Sequence, residues 1–280
     1  METIGFVGVG AMGSALLERL KAFDVEVVAF DTDRKALDAA RALGARTASS
    51  ASDVGGQSSM IDVVVRTDAE VLDCVAGQGG ILEGAAPGTL ILLHSTIRPD
   101  TTKKVAAMAR SKDVEVIDAC MTAVPRVVRQ GGLTFLVGGP AHLVERARPH
   151  LMRMAKDVIH AGPLGAGNVA KLVKNLVTAS EALIIHEAIQ IARAGGITCR
   201  EALEMMRKTR SEPFLERWQE RFDLAGDDLV FRVGSNLYDK DIPLAAEVGE
   251  LLGLDIPVTR ELAAAAKRVV AANRARPSAP

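Results

Sequence analysis

Residues 8–13 read Gly8-Val9-Gly10-Ala11-Met12-Gly13 and lie between two short segments of different character. The apolar run Ile4–Val7 before them predicts a strand, and Ser14–Leu20 after them predicts a helix. In such a setting the first glycine makes a tight turn, the second lets the backbone approach a pyrophosphate, and the third lets helix and strand lie close together. The helix start also offers unpaired N–H groups to phosphates. The six residues therefore predict a dinucleotide-binding turn.

A second predicted strand, Val25–Phe30, is followed by Asp31. This carboxylate lies close to the roughly 20-residue spacing expected for an acid that binds the adenosine ribose. It would accept hydrogen bonds from both ribose hydroxyls and would repel a 2′-phosphate. We therefore expect NAD rather than NADP, with Arg34 as the one nearby residue able to bind a 2′-phosphate.

The bulk composition limits the class of protein. The chain has 280 residues, of which 48% are hydrophobic and 25% charged, and its net charge is −1. This length suits one large or two ordinary domains, and the absence of basic excess argues against nucleic-acid or membrane partners. Cys74, Cys120 and Cys199 are odd in number and lack metal or redox spacing, which favours a reducing, cytoplasmic compartment and no metal site. The first strand begins almost at once, so we expect no signal peptide.

Strands and helices alternate over residues 1–162, the pattern of an α/β domain with a doubly wound, mainly parallel sheet. Helices such as Asp33–Leu43 and Asp100–Ala109 separate the strands. The predicted strands are Ile4–Val7, Val25–Phe30, Met60–Val65, Thr89–Leu93, Glu115–Asp118, Thr134–Gly138 and Asp157–His160.

Residues 163–280 are predicted to form an all-helical second domain, because no convincing strand follows Gly165. A long helix over Asn168–Ala194 ends at Gly195-Gly196 and is apolar on several faces, so we expect it to link the domains and to contact another subunit. Polar and charged residues interrupt it too often for a membrane span. The tail 273–280 is predicted to be disordered. Further helices are predicted at Cys199–Lys208, Pro213–Phe222, Leu244–Leu252 and Val258–Ala272.

Lys171 and Asn175 are four residues apart and share one face of the long helix. The positive end of the helix dipole and burial would both lower the pKa of a lysine at this position. Such a lysine can transfer a proton near neutral pH. The alternative interpretation is a surface lysine that happens to face an asparagine.

With these residues in place, the chain resembles the β-hydroxyacid dehydrogenase family, which includes 3-hydroxyisobutyrate dehydrogenases and tartronate semialdehyde reductases. The resemblance covers nearly the whole chain and rests on four motifs in family order: Gly8–Gly13, Asp118–Gly139, Gly165–Asn175 and Lys240-Asp241. It implies an N-terminal Rossmann NAD(P)-binding domain, a helical C-terminal domain and a homodimer or tetramer assembled through the long helix. It also implies hydride transfer between nicotinamide and a small β-hydroxy acid or its aldehyde.

The resemblance implies a role for each matching residue. Lys171 corresponds to the catalytic lysine, Asn175 to the asparagine that orients substrate, and Lys240 to a lysine that reaches toward cofactor and substrate. Thr96 matches a threonine near the nicotinamide. Arg66-Thr67-Asp68 occupies the cofactor-contacting loop, where family members usually carry a Met-Leu-Pro-like tripeptide.

The substrate loop departs from the family pattern. Members typically show Asp-Ala-Pro-Val-Ser-Gly-Gly, whereas this chain reads Asp118-Ala119-Cys120-Met121-Thr122-Ala123-Val124. Thr122 keeps a hydroxyl, but Ala123 and Val124 replace both glycines and restrict the backbone. Arg126 or Arg129 would supply a replacement charge for the substrate carboxylate, unless both are solvated loop residues.

Two other interpretations stay open. Imine reductases share a similar N-terminal half but usually carry an acid or a tyrosine in place of Lys171, so this lysine argues against them while the altered loop keeps them possible. A non-catalytic dinucleotide-binding protein would explain the altered loop but not the intact pair of Lys171 and Asn175.

Overall fold

The computed structural model describes residues 3–209, 218, 222–225, 228–231 and 237–274. It divides into two compact units, Met1–Lys171 and Leu172–Pro280, and the division falls inside one long helix. The domain boundary expected between residues 162 and 163 lies before that helix begins and stays a prediction.

The first unit is built on an eight-stranded sheet. Its strands are β1 (Thr3–Val7), β2 (Glu26–Phe30), β3 (Arg46–Thr47), β4 (Met60–Val63), β5 (Leu90–Leu93), β6 (Glu115–Met121), β7 (Thr134–Gly138) and β8 (Asp157–Gly162). They lie in the order β3-β2-β1-β4-β5-β6-β7-β8, and only the β6–β7 pair is antiparallel. The strand order therefore reverses between β1 and β4, where doubly wound sheets bind their ligands.

Helices cover both faces of this sheet. They are α1 (Ala11–Leu20), α2 (Arg34–Ala42), α3 (Ala51–Gln57), α4 (Asp68–Ala76), α5 (Ile81–Gly84), α6 (Pro99–Arg110), α7 (Pro125–Arg129) and α8 (Ala141–Met154). Leu16 of α1 and Leu151 of α8 belong to one buried cluster, and Val75 of α4 and Val105 of α6 belong to a second. Every residue of β4 and β5 is buried, as expected for parallel strands covered on both faces.

The second unit is mainly helical and has its own core. Its core includes the buried Leu183, Cys199, Trp218, Phe222 and Tyr238. No helix within the described residues is long and apolar enough to cross a membrane. The elements are α9 (Ala166–Ala194, which begins in the first unit), α10 (Cys199–Lys208), strands β9 (Phe222–Ala225) and β10 (Asp228–Phe231), a π-helical turn (Leu237–Asp241), α11 (Ile242–Leu251) and α12 (Pro257–Arg274).

The predicted fold class, a Rossmann domain followed by a helical domain, is confirmed, with corrections in detail. Strand β3 was not predicted, because two residues carry no periodicity. Strand β4 ends two residues before the predicted Val65, and β6 continues three residues beyond Asp118. The antiparallel pair β9–β10 corrects the expectation that no strand follows Gly165, since four-residue strands cannot be recognised by periodicity.

Two predictions fall largely on residues that are not described. Within the predicted helix Pro213–Phe222, Trp218 is helical and Phe222 begins β9, and the other positions lie outside the described residues. The predicted disordered tail begins at residue 273, but α12 continues to Arg274, which corrects its start. Residues 275–280 lie outside the described part of the chain.

Candidate active site

The glycine turn after β1 has the shape of a phosphate site. Gly8 has φ of +93°, and a side chain there would collide with the Val64 carbonyl. A side chain at Gly13 would collide with the Gly8 carbonyl, so α1 and the turn touch through these two glycines. At Gly10, by contrast, an added Cβ meets no atom within 4 Å. The N-terminus of α1 therefore faces open space that fits a pyrophosphate.

Asp31 is bound to this turn. The Val9 N–H donates to Asp31 Oδ2 at 2.8 Å, and the Asp33 N–H donates to Asp31 Oδ1 at 2.8 Å. Each carboxylate oxygen keeps capacity for a second donor, so both can also accept a ribose hydroxyl. Arg34 is exposed at the first position of α2. The turn and the carboxylate thus fit the pyrophosphate and the ribose of an adenosine diphosphate group.

The two other predicted cofactor loops follow β4 and β5 at the same edge of the sheet. The Ser95 hydroxyl donates to the Val65 carbonyl at 2.6 Å, and the Arg98 N–H donates to Asp68 Oδ1 at 3.0 Å. These bonds connect the loop that holds Arg66-Thr67-Asp68 to the loop that holds the half-buried Thr96. Thr67 caps α4 by accepting the Glu70 N–H at 3.2 Å.

The loop after β6 holds Thr122, Ala123 and Val124 without glycine-like backbone. The Thr122 hydroxyl donates to the Thr134 carbonyl at 2.9 Å, so its hydrogen is already engaged. Val124 has φ of −92°, and Asp113 is the one described non-glycine residue with positive φ. The backbone of this loop therefore has angles that any residue can adopt. The Thr122 hydroxyl, having donated its hydrogen, is left mainly as an acceptor.

The two arginines that were proposed to bind the substrate carboxylate, Arg126 and Arg129, differ in their surroundings. Arg129 Nε lies 2.9 Å from both carboxylate oxygens of Glu18 on α1, so its charge is paired. Arg126 is exposed and makes no ion pair within the described part of the chain. Of the two, Arg126 is the guanidinium left to bind an acid.

Lys171 is half-buried in the second turn of α9. The first turn of the same helix binds Asp118, a carboxylate to which the sequence assigned no role. Asp118 is fully buried and accepts the Gly165 N–H at 2.7 Å and the Asn168 N–H at 2.8 Å. Burial raises the pKa of Asp118 to about 6, although these N–H donors favour its charged form. The one sequence signal that could have drawn attention to Asp118 is its position at the start of the motif Asp118–Gly139.

Asn175 lies four residues after Lys171 and is buried in the second unit. Its Nδ2 donates to Asp241 Oδ2 at 2.7 Å, and Lys240 Nζ lies 3.4 Å from Asp241 Oδ1. Because a carboxylate only accepts, the amide nitrogen must face Asp241, and the Asn175 carbonyl oxygen points elsewhere. The π-helical turn thus contributes Asp241 as a partner of Asn175. In the sequence Asp241 was noted only as the neighbour of Lys240, and this role could not be seen there.

A buried polar cluster in the first unit was also missed. Asp62 Oδ1 lies 2.6 Å from His94 Nε2, and Asp62 Oδ2 lies 2.7 Å from His150 Nε2. Burial opposes the charged carboxylate, but its contacts with His150 and His94 outweigh that penalty and hold the pKa of Asp62 well below its usual range. His94 directly precedes the Ser95-Thr96 loop, so this cluster supports the edge of the candidate cofactor site.

Comparisons with known proteins give a family match for each half of the chain. Residues 3–162 match the profile of the NAD binding domain of 6-phosphogluconate dehydrogenase, and residues 165–277 match that of the NAD-binding region of NADP-dependent 3-hydroxyisobutyrate dehydrogenase. An NAD-dependent L-serine dehydrogenase of Pseudomonas aeruginosa is 34% identical over 75% of this chain and 70% of its own. A 2-(hydroxymethyl)glutarate dehydrogenase of Eubacterium barkeri is 30% identical over 91% of this chain and 85% of its own.

Solved structures give the same fold. A 3-hydroxyisobutyrate dehydrogenase of Mycobacterium tuberculosis, solved with L-serine, superposes with a TM-score of 0.83 at 26% identity, covering 97% of this chain and 94% of its own. An imine reductase of Myxococcus stipitatus superposes with a TM-score of 0.69 at 19% identity, covering 97% and 94%. At that identity the likeness to the imine reductase extends to the fold alone.

Proposed function

The chain belongs to the 3-hydroxyisobutyrate dehydrogenase family of NAD(P)-dependent oxidoreductases, and we propose that it interconverts a small β-hydroxy acid and its aldehyde with NAD. The observation that carries the proposal is the orientation of the Asn175 amide. Asn175 lies one helical turn after Lys171, and its hydrogen bond to the buried Asp241 fixes how the amide faces. An amide held in this way can bind the reacting oxygen of a substrate while the lysine moves its proton.

We assign the chemical roles as follows. When bound, the nicotinamide accepts or supplies the hydride. In oxidation Lys171 takes the hydroxyl proton of the substrate, and in reduction it returns that proton to the carbonyl oxygen. Asn175 holds the same oxygen. Lys240, whose side chain is 27% exposed beside Asp241, would bind cofactor or substrate.

We propose NAD as the preferred cofactor. The N-terminus of α1 would bind the pyrophosphate at Gly10, and Asp31 would accept the ribose hydroxyls while repelling a 2′-phosphate. Thr96 and the Arg66-Thr67-Asp68 loop would border the nicotinamide half. Steady-state kinetics with both cofactors tests this assignment, and a preference for NADPH above tenfold would overturn it.

The altered substrate loop supports a substrate that differs from the short acids of the family. Thr122 has its hydroxyl hydrogen engaged, and Ala123 and Val124 take up space that glycines would leave. We propose that the exposed Arg126 binds the acid group, or that the substrate is larger and less acidic at that end. The double variant Ala123→Gly, Val124→Gly should raise activity on simple acids such as 3-hydroxyisobutyrate. Ordinary activity of the unmodified protein on such acids would contradict a shifted specificity.

We also propose a homo-oligomer assembled along α9. Four large apolar side chains on that helix are 54–73% exposed and recur at intervals of four and seven residues: Val173, Val177, Ile184 and Ile191. Such a stripe is typical of a face that is covered by another helix. Sedimentation of the protein and of Ile184→Glu tests it. Three free cysteines support the cytoplasm as its compartment.

A substrate panel tests the function as a whole. Short hydroxy acids, their semialdehydes and cyclic imines would be followed by NAD(P)H absorbance. We expect turnover with at least one hydroxy acid or semialdehyde. Turnover of imines alone would favour an imine reductase, and cofactor binding without turnover would favour a non-catalytic dinucleotide-binding protein.

A further inference from the structure

The first turn of α9 is bound to the sheet by side-chain hydrogen bonds. Helix-terminal N–H groups have no partner within their own helix, and Asp118 accepts two of them, from Gly165 and Asn168. Since Asp118 belongs to β6, the start of α9 is fixed on the strand that leads into the Thr122 loop.

The Asn168 side chain extends this connection to other elements. It is fully buried, and its Oδ1 accepts the Thr102 hydroxyl of α6 at 2.7 Å. Its Nδ2 lies 3.1 Å from the Ser95 carbonyl and 3.2 Å from Cys120 Sγ. The Cys120 thiol in turn donates to the Ser95 carbonyl at 3.6 Å. One amide therefore contacts α6, β6 and the loop after β5.

Lys171 and Thr96, to which we assign roles in the reaction, each lie within three residues of a member of this network. Lys171 is three residues after Asn168 and so lies on the next turn of the same helix face. Thr96 directly follows Ser95. We propose that Asn168, supported by Cys120, is a positioning residue that holds Lys171 in fixed alignment with the Thr96 loop. The inference rests on the roles proposed above for Lys171 and Thr96.

Amide hydrogen exchange tests the positioning directly in the full-length protein. Asn168→Asp keeps the shape but sets an acceptor against the Ser95 carbonyl, and Cys120→Ala removes the thiol. We expect exchange of amides 165–171 to accelerate at least tenfold in Asn168→Asp and several-fold in Cys120→Ala, and to stay near the unmodified rate in Cys120→Ser, which keeps a donor and an acceptor. Val144→Ala is a matched control, because Val144 is fully buried in α8 and outside the network.

Kinetics supplies a second readout. In the Asn168 and Cys120→Ala variants kcat should fall, about tenfold or more for Asn168→Asp, while the Kd for NADH changes less than twofold. Cys120→Ser should recover most of kcat. Equal effects in Val144→Ala, or unchanged exchange in Cys120→Ala and Asn168→Asp alike, would overturn the inference. Absence of turnover in the unmodified protein would refute the proposed function, whereas the exchange data would still decide whether Asn168 fixes the turn.

Discussion

His94 and Asp62 form a hydrogen bond in the interior of the first unit. His94 Nδ1 lies 2.7 Å from the Ala119 carbonyl, which can only accept, so this nitrogen carries a hydrogen. His94 Nε2 lies 2.6 Å from Asp62 Oδ1, a contact that requires one more proton between the two atoms. Both side chains are completely buried, so the hydrogen bond between them is held away from water.

Replacing Asp62 by asparagine should destabilise the protein strongly. Loss of one partner from a buried charge pair typically costs about 3–5 kcal/mol. Because the pKa of Asp62 is held below its usual value, its contribution is present above about pH 4 and is lost as the pH falls further. Urea unfolding at several pH values should show the difference from the unmodified protein shrinking in acid. The matched control Asp38→Asn removes an exposed carboxylate paired with Arg41 and should change stability little.

Asp118 should change the pH dependence of stability in the direction opposite to Asp62. Its folded pKa, about 6, lies above the ordinary value of 3.8, so the folded state retains the proton more strongly. The stability of the unmodified protein relative to Asp118→Asn should therefore fall as pH rises from about 4 to 6, by about 3 kcal/mol at most. Glu115→Gln, an exposed change on the same strand, is the control. A difference that does not vary with pH would contradict this assignment.

The glycine turn separates cofactor binding from folding. Gly10→Ala adds a methyl group into open space, so we expect an unchanged Tm but at least a tenfold weaker Kd for NADH. Gly13→Ala pushes a methyl group into the Gly8 carbonyl and should cost roughly 1–3 kcal/mol of unfolding free energy. Thermal unfolding and fluorescence titration with NADH measure both. If Gly10→Ala lowers the Tm as well as weakening the binding of NADH, the phosphate site is not open as described.

Lys171→Ala should lower kcat at least ~100-fold, the usual scale of general acid–base catalysis. The Kd for NADH should change little, because Lys171 lies outside the glycine turn. Lys174→Ala, an exposed lysine on the next turn, is the control and should keep most activity. If Lys171→Ala retains most of its turnover, another group transfers the proton.

The sequence predicts well what is local or patterned. Gly8–Gly13 and Asp31 follow from strand, turn and helix signals, and the structure joins them through Val9. That Lys171 and Asn175 share one face of α9 follows from their helical spacing. Each of these features lies within one element or between two elements that are consecutive in the chain.

The missed features are partners brought together by the fold. His150 is 88 residues from Asp62, and Asp241 is 66 residues from Asn175, so no spacing rule connects them. Arg129 and Glu18 are 111 residues apart, and their pairing leaves only one of the two proposed acid-binding arginines without an ion-pair partner among the described residues. Such contacts depend on which elements become neighbours, and one sequence does not encode that in any local pattern.

The burial of the cysteines gives each unit its own chemical reporter. Cys120 in the first unit and Cys199 in the second are both fully buried, whereas Cys74 is half-buried. Burial raises the pKa of the Cys74 thiol to about 12, so its reactive thiolate is scarce as well. An alkylating reagent can therefore modify Cys120 or Cys199 only in molecules whose surrounding unit has transiently opened. Mass spectrometry of the two alkylated peptides would time the opening of each unit separately in the unmodified protein, without any engineered label.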